Sequence, residues 1–201
     1  MLVLGQNTAE TELIIAFLPK PMPRYPAHFY TDGARAITYQ GRREIPQCKS
    51  MNTLVNHLAR TAGRAQDALE ALLIHDNHLT EGSRSNLFVV HAQSRQLLTP
   101  LTETVLSGVT REIVVNLMNA TPYPVQEAEI FVDTPMAEMF ITSTSMHIMP
   151  ITTLNGLTIG DGTVGPVTQE AIARFEAYYQ NYLVTEFPRS YTPTSENPPS
   201  K

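Results

Sequence analysis

The sequence predicts an α+β fold, and three observations predict it. Strand-like and helix-like segments are mixed without the regular strand–helix–strand rhythm of a doubly wound sheet. Two segments read as strand–turn–strand units, across Ala92–Arg95 and across Asn155-Gly156. With 201 residues, 42% of them hydrophobic, the chain has material for one domain with a substantial core, or one domain with a small appendage.

In chain order, the apolar run Leu13–Leu18 reads as a strand that ends in an extended linker at Pro19, Pro21, Pro23 and Pro26. Ala34–Tyr39 reads as a strand. Ser50–Gln66 reads as a helix, with Met51, Leu54, Val55 and Leu58 at helical spacing. Ala71–Ile74 is a short buried strand followed by the turn pair Asp76-Asn77. Asn86–His91 and Gln96–Thr99 form a hairpin, and Thr110–Asn119 is a helix opened by Ser107-Gly108. Strands follow at Val125, Met139–Thr142 and Ile148–Leu154, the last leading into a tight turn at Asn155-Gly156. Pro166 suits the first turn of a final helix with Ile172, Phe175, Tyr179 and Tyr182 on one stripe. The organisation expected is a strand and Pro-rich linker over 1–26, a body over 27–187, and a disordered tail over 188–201 that holds four of the fifteen prolines.

Composition removes several function classes. Lys+Arg 14 against Asp+Glu 19 gives a net charge of −5, which offers no electrostatic footprint for nucleic acid or for an anionic membrane surface. The single cysteine, Cys48, excludes an intrachain disulfide framework and a multi-cysteine zinc site. The six histidines are scattered, and none forms an HExxH pair. His75 and His78 flank a turn, where exposed polar residues are ordinary. There is no GxSxG elbow, GxxxxGK[ST] loop or GxGxxG loop. No apolar run is long enough to span a bilayer, and the first residues lack a basic n-region. The expectation is a mildly acidic, cytoplasmic globular protein without a metal.

Three local signals carry chemistry. Lys49, just before Ser50, stands at the mouth of the Ser50–Gln66 helix, where the dipole disfavours a second cation. If buried there, its amine pKa would fall and its nucleophilicity rise; an exposed lysine before an N-cap serine explains the segment equally. Glu81 falls between two strands and is followed by Gly82-Ser83-Arg84-Ser85, small and polar residues beside which a ligand can approach backbone. A structural ion pair with Arg84 is the alternative. At Leu106-Ser107-Gly108-Val109-Thr110-Arg111 a glycine turn opens a helix, so the amides of Val109 and Thr110 and the threonine hydroxyl offer an anion site, or a plain N-cap. A nucleophilic lysine, a carboxylate for a pyridinium nitrogen and a helix N-terminus for a phosphate are together the parts that hold pyridoxal phosphate.

At these residues the chain resembles the class IV aminotransferases, the fold-type IV pyridoxal-phosphate enzymes, a group that includes branched-chain aminotransferase, D-amino-acid aminotransferase and aminodeoxychorismate lyase. The matching blocks come in the family's order. They are Lys49-Ser50-Met51-Asn52, Thr80-Glu81-Gly82-Ser83-Arg84-Ser85-Asn86-Leu87-Phe88, Leu98-Thr99-Pro100 and Leu106 to Arg111. Glu138 to Thr144, Met149-Pro150-Ile151, and Ile159 to Gly162 running into Gly165 to Thr168 complete them. The resemblance implies the larger, C-terminal domain of that fold: a pseudo-barrel of mixed strands with surrounding helices, binding pyridoxal 5'-phosphate.

The same resemblance assigns roles. Lys49 is the Schiff-base lysine and proton shuttle, Glu81 pairs with the pyridine nitrogen, and Leu106 packs on the ring. Val109, Thr110, Ser143 and Thr144 bind the phosphate, and the turn Ser143-Thr144-Ser145 also faces the substrate carboxylate. The implied activity is ping-pong transfer of an amino group between an amino acid, of branched-chain or D-amino-acid type, and a 2-oxo acid. Two alternatives stay open: an aminodeoxychorismate-lyase-like enzyme, and a truncated, non-catalytic protein that binds the cofactor or a partner. The family places a smaller domain before the linker, supplying an arginine for the phosphate, much of the substrate pocket and dimer contacts. This chain begins almost at the linker, and none of Arg35, Arg42 and Arg43 takes the place of that arginine. A homodimer, or a partner chain supplying the missing domain, is therefore expected. The tyrosine that some branched-chain enzymes carry after the lysine is absent, Leu54 occupying that region, which makes the Lys49 block closer to the D-amino-acid style.

Overall fold

The computed structural model describes residues 21–186. The strand expected at Leu13–Leu18 and the tail from 188 lie outside the described residues. The elements are α1 (His28–Thr31), β1 (Ala34–Gln40), α2 (Leu54–Ala65), β2 (Glu70–His75), β3 (His78–Gly82), β4 (Asn86–His91), β5 (Leu97–Thr99), α3 (Val109–Met118), β6 (Val125–Glu127), β7 (Ile130–Phe131), β8 (Met136–Ser143), β9 (His147–Leu154), β10 (Leu157–Thr158) and α4 (Pro166–Glu186).

Six strands close into a barrel, each paired with the next in the cycle β1, β2, β3, β4, β8, β9 and back to β1. The β1–β2 and β1–β9 pairs are parallel and the other four antiparallel, so the fold is the α+β pseudo-barrel implied by the resemblance. Strand alternation sorts the side chains. Ala34 and Ala36, Leu72, Leu87 and Leu79, Val89, Met139 and Ile141, and Met149 and Ile151 pack in one cluster that fills the interior. Their neighbours face outward. Phe88, Val90, Phe140 and Ile148 are covered by Val114 and Met118 of α3 and by Val167, Ala171 and Phe175 of α4. Ile37, Ala71 and Leu73 are covered by Ala59 of α2. Phe88 and Phe140 stack at a centroid distance of 4.8 Å, both fully buried.

The turn chemistry behaves as the sequence predicts. Asp76 and Asn77 both take positive φ, 48° and 64°, in the β2–β3 hairpin, and Asn155 and Gly156 do the same at 51° and 78° between β9 and β10. Pro166 is the first residue of α4. On its expected stripe Phe175 is buried, while Ile172 and Tyr179 are only partly covered and Tyr182 is 42% exposed.

Helix α2 departs from its expectation in two ways. It starts at Leu54 with Thr53 as the preceding cap residue, not at Ser50. Residues 46–50 are held in tight turns instead, since the guanidinium of Arg43 takes the carbonyls of Pro46 and Cys48 and Ser50 N–H donates to Cys48 at 2.9 Å. Its apolar spacing also faces outward: Met51, Leu54 and Leu58 are exposed, and the face on the barrel is Val55, Ala59, Ala62 and Gly63. Small residues line that face because α2 lies against β2: a Cβ at Gly63 would already be in van der Waals contact, 3.7 Å from the Ala68 carbonyl and the Ala71 methyl, which leaves no room for a longer side chain. Among the described residues no helix is long and apolar enough to cross a membrane, and no group of His, Cys, Asp and Glu is arranged to hold a metal.

Candidate active site

Glu81 is not between strands, as the sequence suggests, but inside β3, and an irregularity there decides which way it faces. Against β2, Leu72 pairs with Gly82 and Ile74 with Leu79, so between these pairs one residue of β2, Leu73, opposes two of β3, Thr80 and Glu81. The extra residue turns Glu81 away from the interior cluster that holds Leu79. On the outer face it pairs with Asn86 of β4, which in turn pairs with Thr142 of β8. Directly paired residues share a face, so Glu81, Asn86 and Thr142 stand abreast on the outside of the barrel. Thr142 is 1% exposed and its hydroxyl has no hydrogen-bond partner.

The loop before α3 is clasped onto this row. Leu106 N–H donates to Glu81 Oε2 at 3.1 Å, and the Leu106 carbonyl accepts from Asn86 Nδ2 at 2.7 Å. Gly108 follows as the residue before α3; a Cβ there would lie 2.2 Å from Asn86 Oδ1, so glycine is what lets the loop approach. Having no side chain, Gly108 leaves the first turn of α3 without a side-chain cap. The free amides of Val109 and Thr110 thus sit at a positive helix terminus beside the barrel face, with Val109 exposed and Thr110 buried. Arg111 anchors that turn from below, donating to the Pro100 carbonyl at 2.9 Å and to Glu127 Oε1 at 3.0 Å. Ser143 and Thr144 open the β8–β9 turn, directly after Thr142; Ser143 is half-buried and its hydroxyl accepts from Met146 N–H at 3.2 Å, while Thr144 is exposed.

Lys49 is exposed, in the stretch between β1 and α2, and does not stand at a helix mouth. Its tie to the site runs through Arg43, whose Nε donates to Glu81 Oε1 at 2.7 Å and whose Nη1 donates to the carbonyl of Cys48 at 2.9 Å. The ionic partner of Glu81 is therefore Arg43 rather than Arg84, which faces Glu70 at 3.9 Å. Glu81 and Leu106 are thus hydrogen-bonded, Val109 and Thr110 follow Leu106 at the start of α3, Ser143 and Thr144 adjoin them through the β4–β8 register, and Lys49 is tied to the group through the Cys48 carbonyl on Arg43.

Three glutamates are buried among the described residues, and their partners separate them. Glu70 accepts four hydrogen bonds, from Ala71 N–H, Ser83 N–H, Ser83 Oγ and Ser85 Oγ, and so fixes the loop after β3. Glu138 accepts four, from Arg95 Nη2, Val167 N–H, Thr168 N–H and Thr168 Oγ1, and so caps α4 from the barrel. Glu81 accepts two, from Arg43 Nε and Leu106 N–H. A carboxylate has about four acceptor positions, so Glu81 keeps spare capacity while buried. Burial pushes its carboxyl above the ordinary range, outweighing the opposing pull of Arg43 and Leu106 N–H. A cavity of about 450 Å³ opens beside the pair, lined in part by Arg42, Arg43, His75, Glu81 and Glu103. Of the residues given a cofactor role from sequence, only Glu81 lines it.

Asn86, Thr142 and Arg43 belong to this site and were not assigned roles from sequence. Asn86 lies inside one of the family-like blocks, but its role depends on a cross-strand register that no local pattern displays. Arg43 acts across thirty-eight residues.

The Asn86–Leu106 clasp makes a prediction independent of any ligand. Gly108→Ala should displace Asn86 Oδ1 and open the loop, so that amides 106–110 exchange with deuterium roughly tenfold faster, the weight of one buried hydrogen bond. Asn86→Ala should do the same, and the double variant should be no worse than either single. Additive effects would refute the clasp.

A family model described as amino-transferase class IV matches residues 3–154. A D-alanine aminotransferase of Listeria innocua serovar 6a is 33% identical over 185 residues, which cover 89% of this chain and 60% of that protein. A D-alanine aminotransferase of Bacillus licheniformis is 34% identical over 160 residues, 77% of this chain and 54% of that one. The chain therefore spans between about half and two thirds of the length of these curated relatives. In fold, it matches the branched-chain amino acid aminotransferase of Escherichia coli with a TM-score of 0.68 at 24% identity, over 77% of this chain and 53% of that one. A bacterial branched-chain amino acid aminotransferase (T.th.) complexed with N-(5'-phosphopyridoxyl)-L-glutamate matches with a TM-score of 0.61 at 28% identity, over 75% and 52%. These relatives are aminotransferases, and neither the lyase nor the non-catalytic alternative is favoured by them. With three quarters of its length matched by the family model and a barrel of the same topology class, the chain belongs to the class IV aminotransferase family.

Proposed function

We propose that this chain is a cytoplasmic, pyridoxal-phosphate-dependent class IV aminotransferase-like protein that moves an amino group between an amino acid, of D-amino-acid or branched-chain type, and a 2-oxo acid. The observation that carries the reading is Glu81: a buried carboxylate with unused acceptor positions, bonded to the loop that presents a free helix N-terminus. The orphaned hydroxyl of Thr142 on the same face supports a polar ligand there. The cofactor-binding unit is taken as residues 27–187.

When bound, pyridoxal phosphate supplies a conjugated ring that accepts the electrons left when the substrate Cα loses its proton. The residues divide the remaining work. Val109 and Thr110 amides, with the Ser143-Thr144 turn, hold the phosphate dianion at the positive end of α3. Glu81, when ionised, would hold a proton on the ring nitrogen and so keep the ring electron-poor. Leu106, gripped at both its N–H and its carbonyl, would pack against the ring and exclude water. The Lys49 amine would hold the cofactor by condensing with its aldehyde, with loss of water, and once freed by substrate would be the base that takes up the substrate Cα proton and later gives it back.

Self-association is part of the reading. Ile45, Met51, Leu54, Leu58 and Val109 are all exposed, apolar surface of the kind that a second copy would cover. Reduction of the loaded protein with borohydride should fix a pyridoxyl group on Lys49, read by peptide mass, and the same sample should sediment above the monomer mass. A label on another lysine, or none, would sink the assignment of Lys49; a clean monomer would remove the dimer.

The raised position of the Glu81 carboxyl fixes the sign of a pH effect. On acidification it takes up a proton sooner than an exposed glutamate, and a neutral carboxyl no longer attracts a protonated ring nitrogen. Cofactor affinity should be full above that raised midpoint and fall as the pH drops through it, at a pH above the ordinary carboxylate value of about 4.3. Glu81→Gln should bind the cofactor without that acidic limb and lose at least about a hundredfold in exchange of the substrate α-proton. Undiminished exchange in E81Q would end the electron-sink role of Glu81.

A further inference from the structure

Lys49 and Glu81 have to address opposite ends of one flat ring, yet they sit on different parts of the molecule. Glu81 is fixed in the barrel wall. Lys49 lies in the stretch between β1, which ends at Gln40, and α2, which starts at Leu54, and this stretch contributes no strand to the sheet. Beyond Gly41, whose N–H donates to the Ile74 carbonyl at 2.9 Å, its hold on the barrel comes from side-chain contacts.

Arg42 Nη1 meets His75 Nε2 at 2.9 Å near the β1 end, and at the Lys49 end Arg43 provides them. Arg43 Nε donates to Glu81 Oε1 at 2.7 Å, its Nη1 donates to the Cys48 carbonyl at 2.9 Å, and its Nη2 donates to the Pro46 carbonyl. The Arg43 and Glu81 side chains are 9% and 7% exposed, so the contact is shielded from water. Cys48 is the residue immediately before Lys49.

Resting on the reading of this site as a cofactor cradle, we propose that Arg43 is a positioning residue: its guanidinium brackets the lysine-bearing segment onto Glu81 and thereby sets the distance and orientation between the two ends of the site. The bracket needs the planar fork of arginine. Three donors pointing in fixed, different directions reach one carboxylate and two carbonyls at once, whereas a lysine ammonium concentrates its donors on a single atom. The bracket also leaves the site usable. Glu81 spends one acceptor position on Arg43 and one on Leu106 N–H, so a ring N–H can be received without displacing either.

The charge of Arg43 has a second effect. Burial pushes the Glu81 carboxyl toward its neutral form, and Arg43 is the cation that opposes this. The geometric and the electrostatic contributions are separable by substitution, because Arg43→Lys keeps the charge and removes the fork.

The test uses the full chain as wild type, Arg43→Lys and Arg43→Gln, with two readouts. The first is deuterium exchange of amides 44–50 without cofactor. The second is the rate at which added pyridoxal phosphate is captured on Lys49, followed by absorbance and fixed with borohydride. In both variants the amides of 44–50 should exchange about tenfold faster while those of α4 are unchanged, and capture should slow by about tenfold or more. Wild-type-like exchange and capture in R43K would overturn the bracket and leave only a charge effect. Unchanged behaviour in R43Q would overturn both. If R43Q does not fold, judged by circular dichroism, R43K decides the question alone. If the wild type captures no pyridoxal phosphate while both variants loosen 44–50, the cofactor reading fails and the bracket stands.

Discussion

The extra residue in β3 is the constraint from which the site follows. Were β3 regular from Leu79 to Gly82, the two-residue period would put Glu81 on the same side as Leu79, inside a barrel filled by Leu72, Leu87, Val89 and Ile141. A carboxylate there would meet only hydrocarbon and would be neutral or would unfold the barrel. Turned outward, it stands beside Asn86 and Thr142 and can grip the Leu106 loop. The position of α3's N-terminus, the burial of Glu81 and its access to Arg43 all depend on that one irregular pairing.

Three buried glutamates in one small barrel show how the same side chain is used to opposite ends. Glu70 and Glu138 are saturated by donors, and each ties two elements together: β2 to the loop after β3, and β8 to the start of α4. A saturated carboxylate is stabilising in place and has nothing left to offer a ligand. Glu81 is under-coordinated at comparable burial, which costs stability unless a further donor arrives. Unsatisfied capacity at a buried acid, beside an uncapped helix terminus and an orphaned threonine hydroxyl, is the physical signature that separates this face from the rest of the surface.

What the sequence displays is local, and what it conceals is long-range. The turns at Asp76-Asn77 and Asn155-Gly156 and the start of α4 at Pro166 are legible because the residues that form them are adjacent. The start of α2 is not. Ser50 reads as an N-cap, but Arg43, seven residues earlier, takes the carbonyls of Pro46 and Cys48 and holds the segment in turns. The outward stripe of Met51, Leu54 and Leu58 looks like a core face for the same reason that any apolar stripe does; only the close approach of β2, which admits Ala59 and Gly63, reverses it. Glu81 could be singled out by its polar, small-residue context, yet neither its strand nor its partner could be read, since a bulge breaks the alternation that marks strands and Arg43 is distant in sequence.

The central claim is that the outer face at Glu81, Asn86 and Thr142, with the N-terminus of α3, is a pyridoxal-phosphate cradle. The most direct measurement is a crystal structure of the full chain grown with pyridoxal phosphate. The phosphate should lie on the amides of Val109 and Thr110 and the ring nitrogen against Glu81, with continuous density to Lys49. Phosphate bound instead in the cavity beside Arg42 and His75, with the ring away from Glu81, would contradict it.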